Sequence, residues 1–342
     1  MSMQAGTNLE QQIRSQPDEL SRMLTSETVR EQVHAAAEGL QRARRIWLVG
    51  TGTSHHAAVL GAGMLQDAGR SAVAVPSMRF VVWAPIVGPD DAIVVITHTG
   101  ETAYALAARA LATTAGLDVI TITKRGTPFP HAVETCAAET SETYTVSYTT
   151  ALLVIALIAK EMGADSITDD ILALVPGAVR SAIEASGTEA IAAPERLLVI
   201  TGAGPAATTA REGALKIREG ARMLAEGYDA EYLLHGSAVP LDPRDALIAV
   251  GPPDSDGFVG AVSRAAAAEG IRVHAVEEPT PLPMLLAQIP LTVRLQLLAL
   301  RFATERGQDP DTVITGHWAD EGLWMHGRPD LGAISQPGPG SP

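Results

Sequence analysis

Short apolar runs alternate with longer stretches of helical periodicity along most of the chain. The run Ile46-Trp47-Leu48-Val49 leads into Gly50-Thr51-Gly52-Thr53-Ser54-His55, and Leu197-Leu198-Val199-Ile200 leads likewise into Thr201-Gly202-Ala203-Gly204. The pattern repeats. Gly50 and Gly202 are 152 residues apart, as are Gly52 and Gly204, while Asp91 and Asp245, at the start of further apolar runs, are 154 apart. Residues 117–121 resemble 271–275 at that same offset of 154. Between the runs, 56–68, 102–115, 208–225 and 258–269 read as helices. Apolar runs separated by helices predict βαβ units and parallel sheets covered on both faces. A repeat of about 150 residues is a duplicated domain rather than a solenoid. The expected fold is therefore α/β, with two duplicated, doubly wound parallel-sheet domains at 35–165 and 190–325. A helical arm is expected over 1–34, a linking helix over 166–189, and a flexible Pro/Gly-rich tail over 326–342.

Composition narrows the partners. The net charge of −14 and an aromatic content of 4% disfavour nucleic acid, whose backbone needs a Lys/Arg surface. The single cysteine, Cys136, excludes an intramolecular disulfide framework and fits a reducing compartment. The N-terminal residues lack the apolar core of a signal peptide, and the run from Ala151 to Ala159 is too short to cross a bilayer. A cytoplasmic protein with no membrane and no nucleic-acid partner is expected.

The glycine turns do not form a dinucleotide fingerprint. His55 and Ala207 stand where G-x-G-x-x-G needs its third glycine. Two hydroxyl-rich turns are more informative: Thr51-Gly52-Thr53-Ser54, and Thr97-His98-Thr99-Gly100-Glu101-Thr102, which follows one strand and opens a helix. Backbone N–H groups at a helix N-terminus suit a tetrahedral anion, and hydroxyls add donors without adding charge. Any one of Ser54, Thr99 or Thr102 can equally be an ordinary N-cap. Two such turns at neighbouring strand ends favour an anion site in the crevice of a doubly wound sheet.

In the second half, Glu212, Lys216 and Glu219 fall at i, i+4 and i+7 of one helix, along one face. By spacing alone this is a solvent-exposed ion-pair ladder. Yet the chain holds only three lysines, Lys124, Lys160 and Lys216, so a routine charged face would use arginine. The nine histidines show no metal-ligand spacing, and neither metal nor cofactor is expected. His55 is a candidate to line the pocket, whereas His56 reads as a packing or solvent-facing residue.

At these residues the sequence resembles the two-domain sugar isomerase (SIS) family, in particular the isomerase half of glucosamine-6-phosphate synthase. GTSHHA is similar to the family's GTSYHA, and THTGETAYAL to SQSGETADTL. Glu212-Gly-Ala-Leu-Lys-Ile-Arg-Glu219, with Ala225-Glu-Gly-Tyr and Leu234-His-Gly after it, resembles EGALKLKE…AEAY…KHG. The likeness covers roughly residues 8–325, including the leader Gln16-Pro-Asp. It implies that Ser54, Thr97, Thr99 and Thr102 bind phosphate, with His98 at the family's glutamine position. It places Gly52, Thr53, His55 and Glu212 with the substrate-binding residues. Glu219 takes the place of the base that moves a proton between C1 and C2, and His235 that of the ring-opening histidine, which the partner subunit of a homodimer can supply. Lys216 or backbone N–H groups are expected to stabilise the enediol-type intermediate.

Two departures bear on the reaction. The resemblance does not extend to the family's glutamine-hydrolysing region, and the family's imine-forming lysine near the C-terminus has no counterpart here. Residues 309–318 contain no lysine, and Thr145-Val-Ser-Tyr-Thr-Thr150 replaces STKAFTTQ. The expected function is aldose–ketose isomerisation of a hexose or hexosamine 6-phosphate. The alternatives are an amino-sugar phosphate deaminase or deglycase, and a non-enzymatic phosphosugar sensor. Hydroxyl loops recognise a tetrahedral anion rather than phosphorus, so a sulfonate remains an alternative to phosphate.

Overall fold

The structure, a computed structural model, describes residues 6–83, 85–252, 257–320 and 322. The expected tail at 326–342 lies outside the described residues, as do the first five residues of the arm.

Helices α1 (Thr7–Thr25) and α2 (Glu27–Gln41) precede β1 (Arg45–Gly50), α3 (Thr53–Asp67), β2 (Ala72–Pro76), α4 (Ser77–Val82) and β3 (Asp91–Ile96). Then come α5 (Ala103–Thr114), β4 (Asp118–Thr123), β5 (Ala132–Glu134), α6 (Val146–Glu161) and α7 (Asp169–Glu184). The second half contains β6 (Leu198–Gly202), α8 (Pro205–Ala221), β7 (Ala225–Asp229), α9 (Ala230–Tyr232), β8 (Ala246–Gly251), α10 (Phe258–Ala268), β9 (Arg272–Glu277) and α11 (Met284–Glu305). The first sheet runs β2-β1-β3-β4-β5 and the second β7-β6-β8-β9. Every pairing is parallel.

The strand order of the second sheet repeats that of the first four strands. So do its details. Arg44 and Trp47 reach the buried carboxylate of Asp91, at 3.1 and 3.0 Å, and Arg196 reaches that of Asp245 at 2.8 Å. In each half an Arg–Asp pair thus pins the start of a central strand to its neighbour. The two N-cap glycines have nearly the same backbone, with φ/ψ of 53°/−131° at Gly52 and 56°/−127° at Gly204. A positive φ of this kind favours glycine. A Cβ at Gly50 or Gly202 would approach the helix behind it to 2.6 or 2.7 Å.

The N-terminal helices are not a detached arm. Leu9, Ile13, Leu20 and Met23 of α1 are buried in the first core, because α1 packs on α6 and α7. Buried Gln16 donates to Gln296 of α11 and accepts from Thr149 of α6, both at 2.8 Å. Helix α11 serves both halves: Leu286, Ile289 and Val293 enter the first core, while Leu291, Leu295 and Phe302 enter the second. A helix clothed in protein on several faces needs no single apolar stripe. This is why α11 has the length and hydropathy of a membrane span, a feature the run at 151–159 did not reveal, while being largely buried inside the protein.

Helix α8 meets β7 at Gly227, where an added Cβ would lie 2.4 Å from the Arg211 backbone. Gly227→Ala should therefore lower stability by about 1–3 kcal/mol through overpacking that backbone cannot relieve. Urea unfolding should show a lower midpoint with an unchanged slope.

Candidate active site

The first hydroxyl turn ends β1 and the second ends β3, adjacent strands from which the chain departs in opposite directions across the sheet. The crevice between them is the switch point of a doubly wound sheet. Their hydroxyls are not occupied with capping. Gly52, not a hydroxyl residue, is the N-cap of α3, and Ser54 lies inside the helix. Thr102 stands at the N-cap of α5 but makes no side-chain cap hydrogen bond. Thr99 Oγ1 accepts from the Glu101 N–H at 3.1 Å, a local turn contact. Thr97 Oγ1 is buried without a hydrogen-bond partner.

His98 is oriented from behind. Its Nε2 faces the Glu139 backbone N–H at 3.3 Å, which assigns Nδ1–H to the neutral ring. Burial holds its pKa below the ordinary histidine value, outweighing nearby Glu139. His98 Nδ1 is buried and has no partner. The His55 pKa is lowered by burial, then by His56 and Arg211, and its Nδ1 is likewise unpartnered. Thr53, Ser54, His98, Ser147 and Tyr148 border a small cavity of about 20 Å³.

His98, Cys136 and Glu139 bring ligating atoms within 4.8 Å of one another, yet the set is poorly suited to a metal. The Glu139 carboxylate is committed to the start of α6, accepting from the N–H groups of Thr145, Val146 and Ser147 at 2.8–3.3 Å. Burial, and then Glu139, push the Cys136 thiol up to about 12.

Helix α8 carries the other half of the site, and it is not a solvated ladder. Side-chain exposure is 0% for Glu212, 1% for Lys216 and 22% for Glu219. Lys216 Nζ donates to Glu219 Oε2 at 2.6 Å and lies 3.6 Å from Glu212 Oε1. Two residues of α3 complete the cluster. Thr53 Oγ1 donates to Glu212 Oε1 at 3.1 Å, and His56 Nδ1 meets Glu212 Oε2 at 2.6 Å.

These contacts divide the two carboxylates. Burial disfavours ionised Glu212, but Lys216, then His56 and Thr53, hold its pKa below the ordinary value. Burial raises the pKa of Glu219, outweighing Lys216. Burial also disfavours the Lys216 ammonium, yet Glu219 and Glu212 hold its pKa above the usual lysine value. One carboxylate is kept ionised and structural, while the other, at the exposed end, has the raised pKa useful in a general base.

Thr53 and Glu212 are thus in direct contact, and the Glu212–Lys216–Glu219 face lies alongside the first turn of α3. His235 does not join the cluster within this chain. It sits on the wide turn Leu233–Ser237, where Gly236 has φ 107°, is 76% exposed, and has Glu231 4.0 Å away. His56 was the residue missed. Its signal was its i, i+3 relation to Thr53, which puts both on one face of α3.

Residues 39–160 match the SIS domain family. The chain thus contains a SIS domain and is homologous to the isomerase region of glutamine–fructose-6-phosphate aminotransferases. The Pyrococcus horikoshii aminotransferase is 30% identical over 311 residues, covering 80% of this chain and 51% of that protein. The chain therefore spans about half the length of the curated relatives it matches. Among solved structures, tagatose-6-phosphate ketose/aldose isomerase from Escherichia coli superposes with a TM-score of 0.76 at 21% identity, covering 91% of this chain and 97% of that one. Glucosamine-6-phosphate deaminase from Thermotoga maritima gives 0.74 at 18%, covering 89% and 97%. At these identities, the structural likeness establishes the shared fold.

If the free hydroxyls hold the anion, they bind substrate and transition state alike. Ser54→Ala with Thr102→Ala should raise KM by about tenfold or more and change kcat by less, as steady-state kinetics would show. An unchanged KM would rule out these loops as the principal anion site.

Proposed function

We propose that the protein is an enzyme that interconverts an aldose and a ketose, transferring a proton between C1 and C2 of a hexose or hexosamine 6-phosphate. The observation that carries this reading is Glu219: a carboxylate with a raised pKa, hydrogen-bonded to a buried lysine, on the helix that touches the hydroxyl turn. The turns at Thr51–Ser54 and Thr97–Thr102 would take the phosphate or another tetrahedral anion.

In this reading the sugar ring first opens, with a proton delivered to the ring oxygen and another taken from the anomeric hydroxyl. Histidine suits both transfers near neutral pH. Glu219 then removes the proton beside the carbonyl and returns it to the neighbouring carbon, while the hydroxyl proton passes from one of the two oxygens to the other. Lys216, being buried, would act through Glu219 by keeping its carboxylate in place. The exposed position of His235 supports its contribution to a neighbouring copy's site, and hence a homodimer. The acidic chain with one buried thiol supports a cytoplasmic setting.

A second reading is amine release from an amino-sugar phosphate. Lys216, held as an ammonium between two carboxylates, is unsuited to forming an imine, and Lys124 and Lys160 are the only other lysines. A substrate that brings its own nitrogen would not need one.

Glu219→Gln should reduce C1/C2 deuterium exchange into fructose 6-phosphate or glucosamine 6-phosphate by about a hundredfold or more. Proton NMR in deuterated water reads this directly, and an ammonia assay on the same samples separates isomerisation from deamination. Near-normal exchange in a well-folded variant would sink the mechanism. Because the base works when deprotonated and its pKa is raised, wild-type exchange should fall on acidification at a pH above 4.5, the ordinary glutamate value.

The shared site has its own test. Glu219→Gln and His235→Asn homodimers should each be weak, whereas mixed dimers should regain activity by uniting an intact Glu219 with an intact His235. No recovery on mixing subunits under exchange conditions would place both residues in one chain's site, or remove His235 from it.

A further inference from the structure

The two contacts from α3 to Glu212 cross between the two halves of the molecule. They join the turn that begins the anion crevice to a fully buried charge on the helix of the proposed base. Glu212 has three partners: Thr53 at 3.1 Å, His56 at 2.6 Å and Lys216 at 3.6 Å. Lys216 lies closer to Glu219, at 2.6 Å. An ammonium between two carboxylates is drawn towards the one less well satisfied by others. Because Thr53 and His56 satisfy Glu212, Lys216 is free to hold Glu219.

We infer that Thr53 and His56 are positioning residues that hold Glu212 and so direct Lys216 at Glu219, making the turn that opens the anion crevice part of the device that sets the base. This inference rests on the reading of Glu219 as the base. His56 would touch neither substrate nor reacting atoms. Its effect passes through Glu212 and Lys216, both buried, over a short and poorly screened path.

The groups facing this path come from three directions. Helix α3 supplies His55 beside His56. Helix α8 supplies Arg211, Glu212, Lys216 and Glu219. From α6 comes Tyr148, whose hydroxyl is raised well above its ordinary pKa by burial and then by Glu212. Glu139, before α6, also acts on Lys216. Removing His56 takes away a group that favours ionised Glu219. It also lets Lys216 move towards Glu212, which withdraws a second such group. Both changes raise the Glu219 pKa.

The test compares wild type with His56→Ala and His56→Asn, the latter placing an amide near the original Nδ1. Titration of the Glu219 carboxyl by carbon-13 NMR, with the resonance assigned through Glu219→Gln, needs no knowledge of the substrate. The midpoint should rise by about one pH unit in His56→Ala and return most of the way in His56→Asn. Deuterium exchange with fructose 6-phosphate should show the acidic limb moved up by the same amount as the titration, so that kcat measured on that limb falls by about tenfold, with KM within about twofold. If His56→Ala does not fold, Thr53→Val and His56→Asn carry the comparison, with smaller shifts in the same direction. An unchanged Glu219 midpoint in a folded variant lacking a donor to Glu212 overturns the inference. A Glu219→Gln enzyme that retains exchange would instead remove the base reading, while the titration would still decide whether His56 governs Glu219.

Discussion

A carboxylate with no solvent exposure, Glu212, lies where the first turn of α3 meets the middle of α8, and the arrangement around it constrains both halves of the molecule. Left unpaired, such a charge would cost several kcal/mol; removing one partner of a buried ion pair typically costs about 3–5 kcal/mol. The cost is met only if Thr53 and His56 come from one helix and Lys216 from the other, so the two helices have one satisfactory register. Close packing fixes α8 from its other side as well. A Cβ at Gly213, the residue after Glu212, would meet Leu295 of α11 at 2.3 Å. The glycine lets α8 lie against α11, while the charge beside it is turned to α3.

The repeated strand order accounts for the fold but not the site, because the two halves differ in chemistry where their strand order and glycine turns agree. Gly52 and Gly204 adopt the same turn, yet Ala203 and Ala206 stand where the first copy has Thr51 and Ser54. The second crevice, about 460 Å³, is lined largely by Ala, Val, Gly and Pro, with Ser263, Arg264, His274 and Glu277 as its polar residues and no counterpart of the hydroxyl turns. The candidate anion donors thus belong to the first copy and the candidate base to the second. The contact from Thr53 to Glu212 is where these separated contributions meet.

Much of this was legible in the chain. Parallel strands buried on both faces must be apolar along their length, so β1, β3, β6 and β8 appear as uninterrupted runs, and the glycine spacing betrays their repetition. The hydroxyl turns and the 212–216–219 face were visible because helix periodicity is fixed by backbone geometry. Burial was not visible. The same i, i+4, i+7 spacing describes a solvated ladder and a buried triad, and only the packing of α3 and α11 on α8 distinguishes them. His56 was overlooked for the same reason, since a face of a helix has no meaning until a neighbour covers it. The N-terminal segment read as a helical arm because nothing in a local helical pattern names the helices it packs against.

The sequence by itself determined the α/β class, the duplicated parallel sheets, the two hydroxyl turns and the identities of the ionisable residues on α8. These follow from local periodicity and backbone chemistry, which act over a few residues. Only the tertiary structure decided which of those residues are withdrawn from water and which carboxylate the lysine holds most closely. It also decided that the turn of one half touches the charged helix of the other. A charge acquires its pKa and its partner from the dielectric and neighbours around it, and residues more than 150 positions apart create that environment only when the chain has packed.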